Sequence, residues 1–220
     1  MGVLKAGDLL TFSLVCAAAI FAFIGAFRKL RQGRFKKQGP AMDIQTLREF
    51  YTTSALEYHV TARYAAFSGL SNVCGILFHH AMEMYLKGYL CSKLDVRQLT
   101  NLGHNLRKSW KAFKKDFSGS GLERFDETIH ALDEHEFLRY PERVAPAGAM
   151  TIIINISKPK SQISNSKLNK GKQFDLVVDE LDDLGKLILE KSKINAPVFV
   201  ERFNGDAQEF LKRDNKSVIW

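Results

Sequence analysis

The stretch from Leu70 to Cys91 constrains this chain more than any other. Val73, Ile76, Leu77, Phe78, Ala81, Met84, Tyr85, Leu86, Tyr89 and Leu90 make it apolar on nearly every side. A surface helix carries one apolar stripe, whereas a helix apolar all round has neighbours all round and sits at the centre of a bundle. One polar stripe interrupts it. His80, Glu83 and Lys87 follow at i, i+3 and i+7, a spacing that places them on a single helical face and, on this reading, facing out.

The flanking sequence supplies the partners. Asp43 is an N-cap for a first helix ending near Ser68, before Gly69, with Leu47, Phe50, Tyr51, Tyr58, Ala62 and Ala65 on one face. The turn Asn101-Leu102-Gly103-His104 opens a third helix. Leu106, Trp110, Phe113 and Phe117 turn inward there, and Arg107, Lys108, Lys111, Lys114 and Lys115 form a basic outer face. After Ser118–Gly121, a fourth, acidic helix buries Leu122, Phe125, Ile129 and Leu132 and ends before Arg139-Tyr140-Pro141, because the residue before a proline resists helix. The β-branched run Thr151–Ile156 reads as a strand. A lysine-rich loop over 158–172 follows, then a fifth helix from Phe174 to Ser192, a second strand over Pro197–Phe203 paired with the first, and a short helix over Asp206–Arg213. The expected fold is mainly α: an up-and-down helical bundle with a small β-hairpin appendage.

Leu9–Phe27 is a run of 19 residues without a charge, followed by Arg28, Lys29, Arg31, Arg34, Lys36 and Lys37. A helix of that length rises roughly 28 Å, about the thickness of a bilayer core. The positive-inside rule then places the N-terminus outside and the rest in the cytoplasm, as a single-pass transmembrane anchor. A cleaved signal peptide wants its charges before the apolar run; a start at Met42 is the other alternative. The expected organisation is 1–41 as anchor and basic linker, 42–194 as bundle (with the strand and Lys-rich loop at 151–173), and 195–220 as C-terminal strand and helix. The net charge of +8 permits an acidic partner such as nucleotide, RNA or anionic lipid, and part of it belongs to the membrane flank. Cys16, Cys74 and Cys91 have no paired spacing and read as free thiols.

Three segments, in order, resemble signatures of the HEPN superfamily (higher eukaryotes and prokaryotes nucleotide-binding). They are LFHHAMEMYLKGYL (77–90), LGHNL (102–106) and FLRYPERV (137–144); TSALEYHVTARYAA (53–66) also fits. The resemblance covers roughly residues 43–190 and is closest to the Arg-Tyr-Pro prokaryotic branch. It implies a helical bundle that dimerises and a role around RNA, nucleotides or toxin–antitoxin and defence or stress systems. Ribonucleases of the family use an Arg, four to six residues, then a His, without metal.

Two segments here match that spacing, Arg97 to His104 and Arg124 to His130. With six histidines in 220 residues, chance supplies such matches. Neither Arg is followed by the usual polar residue of the motif in a favourable setting: Gln98 follows the first and Phe125 the second, and the second pair lies on an acidic helix. The favoured ligand site is instead Glu83, Lys87, His104, Arg107, Arg139 and Tyr140, which on convergence would hold phosphate and stack a base. A purely structural role in the bundle is the alternative for these residues. Metal is set aside, because His79 and His80 point to different faces of their helix; no cofactor is expected. The expected function is a membrane-tethered, non-catalytic nucleotide- or RNA-binding module. A metal-independent ribonuclease and a partner-binding bundle are the alternatives.

Overall fold

The computed structural model describes residues 43–118, 120–140, 142, 150–157 and 172–217. The apolar run Leu9–Phe27, its basic flank, Pro141 and nearly all of the lysine-rich loop lie outside them. Among the described residues, no helix is long and apolar enough to cross a membrane.

Helix α1 (Ile44–Phe67) starts where the Asp43 side chain accepts from the Thr46 N–H at 2.9 Å. It ends at Ser68, and Gly69 then takes the positive φ of 71° that reverses the chain. Helix α2 (Ser71–Leu90) is the central element, as its composition demands: Phe78, Met82, Tyr85 and Leu86 are wholly or almost wholly buried. Against it pack α1, α4 (Leu106–Lys114), α5 (Asp126–Glu134) and α6 (Val178–Lys191). Leu56, Leu106, Phe113, Ile129, Leu132, Leu181, Leu184 and Ile188 complete one continuous core. Fully burying each such side chain contributes about 1.5–3 kcal/mol. Gly75 on α2 is fixed by close approach, because a Cβ there would collide with the His135 ring.

Helix α3 (Val96–Leu102) is an addition to the sequence reading. It is set by a capping box in which Asp95 accepts from the Gln98 N–H at 2.7 Å and Gln98 Oε1 accepts from the Asp95 N–H at 3.0 Å. The acidic segment is α5 flanked by 3₁₀ turns at Leu122–Phe125 and His135–Arg139.

Four expectations are corrected. Strand β1 (Met150–Asn155) pairs with β2 (Lys172–Val177), and the pair is parallel, Met150 opposite Lys172, so it is not a hairpin. Phe174–Val177 is therefore strand, not the first turn of α6. Phe174 and Leu176 are buried, whereas Gln173 and Asp175 are exposed, the alternation of a half-buried strand. The segment 197–203 does not pair. Its first part lies in α7 (Ala196–Val200), whose Pro197 occupies the first turn, where a missing N–H costs nothing, and a turn follows at 201–203. Helix α8 (Gly205–Lys212) closes the described chain as expected, capped by Asn204.

The inward face of α1 is the fourth correction. Phe50 and Tyr58 are exposed, and His59 and Arg63 are fully buried in their place. Asp182 of α6 meets both: its Oδ1 lies 2.8 Å from His59 Nε2, and its Oδ2 accepts from Arg63 Nη1. Arg63 also donates from Nε to the Phe210 carbonyl at 2.7 Å and from Nη2 to the Arg213 carbonyl. One guanidinium thus ties α1, α6 and the C-terminal segment together, all three of its nitrogens used.

Candidate functional site

The polar stripe of α2 does not face solvent. Glu83 is wholly inaccessible, and its carboxylate gathers three partners. Lys87, one turn on, donates to Oε1 at 2.6 Å. His80, one turn back, brings Nδ1 to 3.5 Å from Oε2, and His104, from the turn before α4, brings its Nδ1 to 3.2 Å from the same oxygen. Burial alone pushes the Glu83 carboxyl up; hydrogen bonds from His80, Lys87 and His104, with the Lys87 charge, outweigh it and hold it down at about 2.

The supports of this cluster are equally specific. Tyr58 lies against His80, ring centroids 5.4 Å apart. His79 points the other way, into the core, as adjacent helical positions must. Its Nε2 lies 3.1 Å from the His104 carbonyl and its Nδ1 3.3 Å from that of Leu132. Gly103 takes a φ of 59°, which delivers His104 to the cluster. Here the turn residue's backbone is anchored by a buried ring while its side chain remains two-thirds exposed.

Of the six ligand residues expected from sequence, the structure brings together Glu83, Lys87 and His104. Arg107 turns away to Asp133, 3.0 Å distant, and Arg139 pairs with Glu136 at 2.8 Å, its guanidinium over the Tyr140 ring. Neither arginine contacts the Glu83 carboxylate. The start of α4 is also not an open anion site. Asn105 caps the Lys108 N–H at 2.8 Å and Asp133 accepts from the Leu106 N–H at 2.9 Å. His104 precedes that cap rather than forming it.

The residues of the two Arg–His spacings make separate contacts. His104 turns to Glu83, and Arg97 is exposed on α3. Arg124 lies over Phe125, 4.6 Å from the ring centroid, and His130 is 4.0 Å from Glu134. In each case the histidine faces a carboxylate, a poor neighbour for phosphate.

A second site escaped the sequence reading. A cleft of about 460 Å³ opens between the start of α1, the end of α2, the 3₁₀ turn Lys115–Phe117 after α4 and the end of α6. Arg48, Lys93, Lys191 and Lys193 line it with a single acid, Asp116, which lies 3.8 Å from Lys93 Nζ and leaves a net positive lining. Tyr89 and Phe117 supply rings: Lys93 Nζ lies 5.9 Å from the Tyr89 centroid and Lys191 Nζ 5.5 Å from that of Phe117. Burial and its 2.7 Å hydrogen bond to Asp116 push the Tyr89 hydroxyl up to about 12, so it remains a donor. Arg48 donates to the Ser192 carbonyl, and the Ser192 hydroxyl, buried at the cleft wall, has no hydrogen-bond partner. Lys193 holds a positive φ of 54°, unusual for a side-chain-bearing residue, at the turn that rims the cleft. These cations come from positions 48, 93, 191 and 193, each unremarked along the chain; only the fold collects them.

No family model, no curated protein and no solved structure matches this chain.

Proposed function

We propose that this protein is a non-catalytic binding module for an anionic, base-bearing ligand of the nucleotide or RNA class, held at a membrane by Leu9–Phe27. The observation that carries the reading is the cleft at Arg48, Lys93, Lys191 and Lys193. Four cations against one acid suit phosphate groups, two aromatic rings suit a base, and its volume falls in the ordinary range for small ligands. The HEPN-like segments support the same ligand class. The Glu83 cluster does not serve it, because a buried carboxylate at its centre opposes phosphate.

The test is a titration of the full-length chain, in mild detergent, with ATP and with a fluorescent single-stranded RNA, each in EDTA. Binding that weakens about tenfold or more in Lys93→Glu and Lys193→Glu, and that falls with added salt, is the expected result. Intact RNA after incubation separates a binding module from a ribonuclease. Unchanged affinity in both variants would sink the assignment of the cleft, and cleavage lost in His104→Ala or His130→Ala would replace the module by a nuclease.

A further inference from the structure

His80, Glu83 and His104 present three ligand atoms that all lie within 4.8 Å of one another. Two of the separations run from Glu83 Oε2 to the imidazole nitrogens, 3.2 Å to His104 and 3.5 Å to His80. Ligands bonded tetrahedrally to zinc at about 2.0–2.1 Å stand about 3.3–3.4 Å apart, so these edges already have the required length. We propose that this triad is a mononuclear site for a divalent transition-metal ion of the zinc class, with the coordination set His₂Glu.

Four features favour an ion over a plain hydrogen-bond network. The donors come from two elements, α2 and the turn before α4, so an ion would join what the chain separates. The carboxylate is oriented from behind, since Lys87 occupies Oε1 at 2.6 Å and leaves Oε2 turned to the imidazoles. Each histidine is placed from outside the triad: His80 by the Tyr58 ring, and the His104 backbone by the buried His79. These contacts hold the two ligands in place from outside the triad, so little rearrangement is needed to meet an ion. Finally, the triad is open on one side. Side-chain exposure is 66% at His104 and 17% at His80, which leaves the remaining coordination position to water. Three protein ligands and one open position are the arrangement of an open rather than a closed zinc site.

Two imidazoles and one carboxylate select borderline ions and discriminate against magnesium, which takes oxygen ligands in octahedral array. The Lys87 ammonium beside the carboxylate weakens attraction for a second cation, so a micromolar rather than a tighter Kd is expected. This site is separate from the Arg48 cleft, and either can fail without the other.

The experiment uses the full-length chain in mild detergent, stripped with EDTA and titrated with zinc chloride against a chromophoric chelator. One zinc per chain is expected, unaffected by excess magnesium. His104→Ala and His80→Ala should each weaken it at least about tenfold, and His130→Ala should not. Cobalt(II) in the same position should give the intense visible bands of a four-coordinate ion, lost in His104→Ala. His104 is exposed, so its removal leaves the fold intact, which far-ultraviolet circular dichroism checks. Zinc bound equally well by a folded His104→Ala protein, or no zinc bound by the unaltered chain below millimolar concentration, would overturn the proposal.

Discussion

Asp182 and Glu83 are the same chemical object in two settings. Each is a carboxylate out of contact with water, and each is met by a histidine and a longer cation. Around Asp182 the partners are sealed too: the His59 and Arg63 side chains have no exposure, and the guanidinium spends its other nitrogens on backbone carbonyls. Around Glu83 the partners lead outward, from Lys87 at 12% through His80 at 17% to His104 at 66%. Burial of the acid is therefore no guide to its role. What matters is where its counter-charges end. A closed set fixes three parts of the fold to one another; a set that reaches the surface can exchange a proton, a water or an ion with what lies outside.

The comparison can be broken at several points. Asp182→Ala carries the largest expected effect, a loss of about 3–5 kcal/mol, because it strands a buried guanidinium. The urea midpoint measures it, and a loss below 1 kcal/mol would mean that Arg63 finds water after all.

His135 extends the contrast to a buried base on which burial outweighs the nearby Glu134 charge, neither ring nitrogen having a hydrogen-bond partner. Burial, first, and the neighbouring His79 lower it from 6.5 to about 4. The unfolded chain therefore takes up this proton before the folded one does. The stability is intact above pH 6.5 and is lost as pH falls from there to about 4. His135→Leu should lessen that acid loss by roughly 2–3 kcal/mol, read from urea midpoints across this pH window. Parallel curves for the two proteins would show that the ring is already protonated or solvated in the fold.

Glu83→Gln should cost less than the Asp182 change, about 1–2 kcal/mol, since Lys87, His80 and His104 retain access to water. Equal losses at the two acids would erase the distinction between sealed and open sets. His104→Ala is the smallest, within about 0.5 kcal/mol, as befits an exposed partner; a larger drop in melting temperature would make the outer histidine structural.

The central helix was legible because its pattern is unambiguous: apolar on every side, it admits only one place in a bundle. The basic and apolar faces of α4 were equally plain from Leu106, Trp110 and Phe113 against Arg107, Lys108 and Lys111. Other parts were not, for identifiable reasons. The capping box at Asp95 and Gln98 announces α3, yet the helix is only seven residues long and its apolar pattern is short. The period of Val177, Leu181, Leu184 and Ile188 runs smoothly backward into Phe174, which hides the change from strand to helix at Val178. Phe50 and Tyr58 look like core and are exposed, because the core positions of α1 belong to His59 and Arg63, whose partner Asp182 stands 119 residues beyond Arg63. Of the candidate site, the Glu83–Lys87 pair was visible as i, i+4 spacing. Its meeting with His104 depends on how the turn at Gly103 returns to α2, and the Arg48 cleft depends on four chain segments at once. Spacing along one helix reports neither.

The Arg63 contacts also set a timetable. During synthesis α1 leaves the ribosome with a cation that belongs in the interior, and its acid arrives 119 residues later. The Phe210 and Arg213 carbonyls follow 147 and 150 residues after it. Until that last stretch emerges, the nascent bundle cannot seal around α1, however complete α2 to α5 have become. A premature stop after α6 therefore removes more than α7 and α8: it leaves the Arg63 guanidinium of α1 without two of its acceptors.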